Sequence, residues 1–244
     1  MIKDVLTDIV EHTHSLGFLP LVKVTGTKDS TAIESIAEDR SVVVTATTKD
    51  PVPEFEGTFG MPNLDKLALH LKNPEYQEHA KIAVIRKVHN EVEMPSSLHF
   101  ENQEGDFQND YRFMSSEIIS ERMKAVKFKG ASWDVSFTPS VSAIARLKLQ
   151  AAAHTEETVF QVRTENDNLI FIFGDASTHA GSFTFQHGVG GKLKHTWAWP
   201  VSQVQSILGL NGTITMKIAD AGAMQITVNS GVAEYNYILP AQTK

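Results

Sequence analysis

Apolar residues recur at two spacings along this chain, and blocks of one spacing alternate with blocks of the other. Over 3–16, Ile2, Val5, Leu6, Ile9, Val10, Thr13 and Leu16 share one face of a 3.6-residue period, which predicts an amphipathic helix closed by Gly17. Lys3, Asp4, Thr7, Asp8, Glu11 and His14 fall on the opposite, solvent face. Short β-type runs follow at 18–24, 31–36, 41–47 and 54–60, separated by turn formers. A second helix is predicted over 61–72, with Leu64, Leu67, Ala68 and Leu71 as its stripe and Asn73-Pro74 as its stop. Strands resume at 81–87, 97–102 and 110–114.

The residues from 115 to 130 have no clean period and read as a connector whose apolar members lie on a surface. The strongest helix of the chain comes next, over 138–154. Thr138 is its expected cap, Pro139 its first residue, and Val141, Ile144, Leu147 and Ala151 its apolar stripe. Strands follow at 158–163, 168–174 and 180–185, then a Gly/Lys stretch over 188–195 expected to be a hairpin loop. A short helix opens at Pro200, and three strands close the chain at 212–218, 223–229 and 233–239. The order of helix, strands, Pro-led helix and strands therefore occurs twice. Pro62 and Pro200 are 138 positions apart, and the leading helices near Lys3 and Ser140 are 137 apart. This predicts an α+β chain of two similar domains, 1–114 and 131–244, joined by a connector at 115–130, each with two helices packed on antiparallel sheets.

Composition narrows the chemistry. The chain has 244 residues, no cysteine, 22 Lys and Arg against 29 Asp and Glu, and a formal net charge of −7. Disulfides, thiolate catalysis and cysteine zinc sites are excluded. The first eight residues carry acids and no apolar block, and no run approaches a membrane span, so a soluble cytoplasmic protein is expected. The ten histidines show no metal-ligand spacing, and His12 and His14 point to different helix faces. Gly188-Val189-Gly190-Gly191-Lys192 lacks the spacing of a phosphate loop, and no nucleophile elbow is present. Neither a cofactor nor a metal site is expected. The cations Lys66, Lys72, Arg146 and Lys148, with Lys192 and Lys194, lie on or beside helices. As a set they suit a surface facing a polyanion, although each alone is ordinary helix-surface charge. Asp4, Asp8 and Glu11 make the first helix an exception.

Three stretches resemble the DNA sliding clamps, the polymerase processivity factors, and within them the clamps of T4-like bacteriophages most closely. They are Glu56-Gly57-Thr58-Phe59-Gly60-Met61-Pro62-Asn63-Leu64-Asp65-Lys66-Leu67, Phe137-Thr138-Pro139-Ser140-Val141 running on through Arg146 to Leu147, and Glu234-Tyr235-Asn236-Tyr237-Ile238-Leu239-Pro240-Ala241. The resemblance implies the DNA-clamp fold and a homotrimeric ring around double-stranded DNA, with no catalysis. It places Lys66, Lys72, Arg146 and Lys148 towards the DNA, and edge strands pair between subunits. It further implies that DNA polymerase and clamp-loader tails dock in a pocket beside the connector, for which Met114, Ile118, Ile119, Met123, Val126, Leu239 and Pro240 are candidates. Ordinary core packing is the competing account of each of these residues. Two other functions fit the same pattern: a phage virion structural protein of tail or baseplate, and a small β-rich hydrolase with scattered catalytic groups.

Overall fold

The computed structural model describes residues 2–77, 79–89, 92–123, 128, 130–175, 177 and 179–242. They form two compact units, 1–126 with 230–235, and 127–229 with 236–244. Among the described residues, no helix is long and apolar enough to cross a membrane.

The first unit opens with α1 (Ile2–His12), followed by a 3-10 turn that Gly17 ends in the left-handed conformation (φ 85°). Strands β1 (Val22–Gly26), β2 (Thr31–Ile36), β3 (Val43–Thr48) and β4 (Gly57–Met61) form an antiparallel sheet in the order β4-β1-β2-β3. Helix α2 (Leu64–Lys72) leads into a second sheet, β5 (Lys81–His89), β6 (Val92–Glu101) and β7 (Gln108–Arg112), in the order β5-β6-β7. A short helix, α3 (Ser116–Arg122), follows. The first residues of the last strand, β15 (Ala233–Pro240), belong to this unit and lie next to β3.

The second unit repeats the plan. Strand β8 (Val135–Phe137) precedes α4 (Val141–Ala153). Strands β9 (Val159–Glu165), β10 (Asn168–Phe173), β11 (Gly181–His187) and β12 (Trp197–Pro200) form a sheet in the order β11-β10-β9-β12. Helix α5 (Val201–Leu208) leads into β13 (Thr213–Ala219), β14 (Ala223–Asn229) and the remainder of β15, in the order β15-β14-β13-β8. Thus β12-β9-β10-β11 reproduces β4-β1-β2-β3. Strands β1 and β9 begin at Val22 and Val159, the 137-residue offset found from the helices. The duplication inferred from element order is present in sheet connectivity.

Alternation builds the cores. Strand β10 is buried at every second position, which puts Leu169, Phe171 and Phe173 inside with Phe160 of β9 and Phe185 of β11. The Phe171 and Phe185 rings stack at 4.2 Å. In the first unit Phe55, Phe59, Leu64, Leu67, Leu71, Tyr76, Leu98 and Phe100 are buried, so the α2 stripe is the expected one. Gly26 of β1 runs so close to the next segment that a Cβ there would sit 2.2 Å from the Phe55 carbonyl oxygen. Backbone cannot yield as a flexible side chain can. Gly26→Ala is therefore expected to destabilise the protein by about 1–3 kcal/mol, seen as a lower urea midpoint at unchanged slope.

Several expectations need correction. Asp8 is not on a solvent face: it is buried, accepts the Tyr235 hydroxyl at 2.8 Å, and lies 3.3 Å from the His12 ring. A buried carboxylate needs such donors, and the period alone cannot announce them. Helix α2 starts at Leu64, after Asn63 in the left-handed region (φ 52°), and not at Pro62. Helix α4 is capped by Ser140, whose Oγ accepts the Ala143 N–H at 3.1 Å, and not by Thr138. The line α4 buries is Ala143, Leu147 and, at its end, His154, while Val141 is 86% exposed. Of the expected stripe, Leu147 is buried, Ile144 and Ala151 are partly buried, and Val141 is exposed, because the helix contacts its sheet along a narrow seam that small residues allow. The stretch 188–195 is no hairpin loop, since it joins β11 to β12 across opposite edges of one sheet. The connector carries the helix α3 in place of irregular chain.

Candidate functional site

Helix α3 is docked on β4. Gly60 and Met114 exchange backbone hydrogen bonds at 2.9 and 2.8 Å, which holds the start of the connector. Ile119, fully buried, lies over Gly60, where any Cβ would come within 3.0 Å of its side chain. The last turn of α3 then forms one wall of an open cavity of about 570 Å³, with Glu121, Arg122 and Met123. Pro20, Leu21, Ile36, Ala37, Glu38 and Arg40 supply the tip of the β2–β3 hairpin and the approach to β1, and Pro62 and Asn63 the far side.

Local hydrogen bonds shape these walls. The hairpin tip is set by Asp39, whose carboxylate accepts the Ser41 hydroxyl at 2.6 Å and the Ser41 N–H at 2.9 Å. These bonds hold its pKa below the ordinary value. Arg40 follows in the left-handed region at φ 60°. Pro62 is fixed by the Tyr111 hydroxyl, which donates to its carbonyl. Burial raises the Tyr111 pKa, with a smaller push from Asp65.

Of the residues expected at a partner pocket, Met123 lines this cavity, Ile119 anchors the helix beneath it, and Met114 serves through its backbone. Ile118 is about half exposed. Leu239 and Pro240 belong to the second unit, where the Leu239 carbonyl accepts the Trp199 Nε1–H at 3.0 Å. Val126 lies outside the described residues. The hairpin-tip residues were not anticipated. Ile36-Ala37 ahead of a polar turn was their only signal, and it does not distinguish a pocket wall from an ordinary strand end.

The cations divide into two groups. Lys66 and Lys72 on α2, and Arg146 and Lys148 on α4, are exposed and make no ion pair among the described residues. Helix α4 carries no acid and α5 no charge at all, so the helical surface of the second unit is purely basic or neutral. Lys192 and Lys194 sit instead in the β11–β12 connection. Lys192 lies beside Asn166 and Asp167, and the Lys194 N–H donates to Asp220 at 2.6 Å. Asp220 has its pKa lowered, first by the His195 N–H and then by that of Lys194. Lys3 of α1 is engaged with the Tyr76 and Gln77 carbonyls.

The displaced ionisable groups do not converge. Burial lowers His70 where its ring meets Tyr76 and Phe100. Among the described residues, no three His, Asp or Glu side chains converge as metal ligands would. His99 on β6 faces Asp110 across the strand pair at 2.9 Å, and that hydrogen bond raises its pKa above the usual 6.5, with Glu101 adding to it. A raised histidine stabilises the fold fully below its unfolded pKa and loses that contribution as pH rises through the folded value. The stability advantage of the native protein over His99→Gln should thus be present at pH 5.5 and gone at about pH 8.5, as urea unfolding at both pH values would show.

No protein-family model matches the chain, and a search of curated proteins returns no match. Solved structures do resemble it over nearly its whole length. A chain in the structure of the C-terminal region of FEN-1 bound to A. fulgidus PCNA has 14% identity and a TM-score of 0.67, covering 99% of this chain and 95% of that one. PCNA from Thermococcus kodakaraensis has 11% identity and a TM-score of 0.64, covering 99% and 96%. At such identities the likeness is one of fold, and the fold is that of the DNA clamps.

Proposed function

We propose that this protein is a sliding clamp: a ring that encircles double-stranded DNA, tethers the replicative DNA polymerase for processive synthesis, and performs no catalysis of its own. The observation that carries this reading is the match of both repeats, end to end, to the PCNA fold. The arrangement of strand edges supports the ring. In the first unit β3 has the start of β15, the last strand of the second repeat, beside it. The equivalent strands are β11 and β7, and among the described residues each ends its sheet with one side open. Pairing β7 of one copy with β11 of the next would repeat the β15–β3 arrangement and remove both edges. Closure after three copies is the number the resemblance implies.

Lys66, Lys72, Arg146 and Lys148 would face the DNA, held by phosphate contacts that carry no sequence information. An overall charge of −7 leaves the remaining surface acidic, which disfavours DNA elsewhere on the ring. The cavity beside α3 would receive apolar anchors from the tails of the polymerase and of a clamp loader. The closer likeness to the clamps of T4-like phages rests on the three sequence stretches, and with it a place in the cytoplasm of an infected host cell. Nothing observed favours the virion-structural or hydrolase readings. The test is primer extension on singly primed circular DNA, with polymerase and loader from the same genome. Longer products on adding this protein are expected, and products of unchanged length would overturn the reading.

A further inference from the structure

The two units differ at one edge. In the second, β8 lies antiparallel on the outer side of β13, pairing Val135 with Ile218, Ser136 with Lys217 and Phe137 with Met216. In the first, β5 is the counterpart of β13, and among the described residues no strand lies on its outer side. The consequence shows in burial. Met216 and Ile218 are fully buried. On β5, Ile82 and Val84 pair with the fully buried Phe100 and Leu98 and so face the same interior, yet they are only half buried.

We propose that the outer edge of β5 binds an extended acidic–apolar segment of a partner protein as an added antiparallel strand. Such a strand gains affinity from main-chain hydrogen bonds and specificity from alternate side chains. Its inward positions would be apolar, covering Ile82 and Val84 in the way Val135 and Phe137 sit beside Ile218 and Met216. Its outward positions lie along the row of Lys81, Ala83, Ile85 and Lys87, in a strand without a single acid. Lys81 and Lys87 are exposed. Lys81 stands opposite Glu101, whose carboxylate also meets His99 and Gln108, and Lys87 stands opposite Met94. Acidic side chains fit that row. A second copy of β5 does not, because lysines would meet lysines. The edge is also held in place: Arg86 donates to the carbonyls of Glu54, Glu56 and Glu93, the last two at 2.9 and 2.8 Å. The inference rests on the duplicated fold and not on the clamp reading.

The experiment uses the full-length protein and a fluorescent peptide alternating glutamate with valine and phenylalanine, read by anisotropy and by residue-level hydrogen exchange. Binding should slow exchange along 82–87 while leaving β8 and β13 unchanged. The double variant Lys81→Glu, Lys87→Glu should bind about tenfold more weakly and should prefer a peptide with lysine in place of glutamate. Unaltered exchange of β1–β4 checks that the variant is folded. Three results would overturn the proposal: no slowing on β5 at millimolar peptide, slowing confined to β8 and β13, or β5 protection that grows with protein concentration alone, which would assign the edge to a second copy.

Discussion

Trp199→Ala should remove about 3–5 kcal/mol of stability, the largest loss expected from any single truncation. Trp199 is the largest fully buried side chain, set on β12 at the entry to α5. Truncation would lose its transfer energy, open a cavity, and leave the Leu239 carbonyl of β15 without the Nε1–H that now donates at 3.0 Å. Trp199→Phe separates these effects, because it keeps most of the apolar volume and loses only the donor, at about 1–3 kcal/mol. Trp197, two residues earlier and only partly buried, donates to the Asp220 carbonyl and should tolerate alanine better. Chemical denaturation followed by circular dichroism would rank the three variants. Native-like folding of Trp199→Ala at full stability would mean that the packing around β12 is not as described.

Reversing two charges on α4 should abolish most function while sparing the fold. Arg146→Glu with Lys148→Glu turns a helix that carries two cations and no acid into one that carries two acids. Both side chains are exposed, so the core seam of Ala143 and Leu147 is untouched and stability should move by no more than about 0.5 kcal/mol. If both residues face phosphate, the dependence of DNA binding on salt should lose about two contacts, a fall of roughly 1.8 in the slope of log K against log salt. Polymerase stimulation should fall with it at physiological salt. A matched variant, Lys192→Glu with Lys194→Glu, tests the other cations. These sit among Asp167, Asp220 and Asn166 in a loop, and reversal there should matter much less. Equal losses from both pairs would place the DNA surface elsewhere.

The element order and the duplication were readable because they rest on period and on turn chemistry, both local properties. Sheet order was not, since nothing within β1 says that β4 and β2 will be its neighbours. The errors share a cause. The helical period puts Asp8 on the polar face but does not say what the opposing element brings, here the Tyr235 hydroxyl from 227 residues away. For α4 the period likewise does not say which side meets the sheet: Ala143 and Leu147 do, and Val141, the first helical residue, is exposed. Of the site, the basic character of α4 was legible directly. The cavity beside α3 was legible only as an apolar connector, since its other walls come from positions 20–40 and 62–63, brought there by the antiparallel pairing of β1 with β2 and β4.

The central claim is a closed ring made by joining β7 of each copy to β11 of the next. Its most direct test is the solution mass of the purified protein, by light scattering across a dilution series. The chain mass is 26.9 kDa, and three copies predict a plateau near 81 kDa that does not grow at higher concentration. A particle that stays at the mass of one chain throughout, or that lengthens without limit, would contradict it.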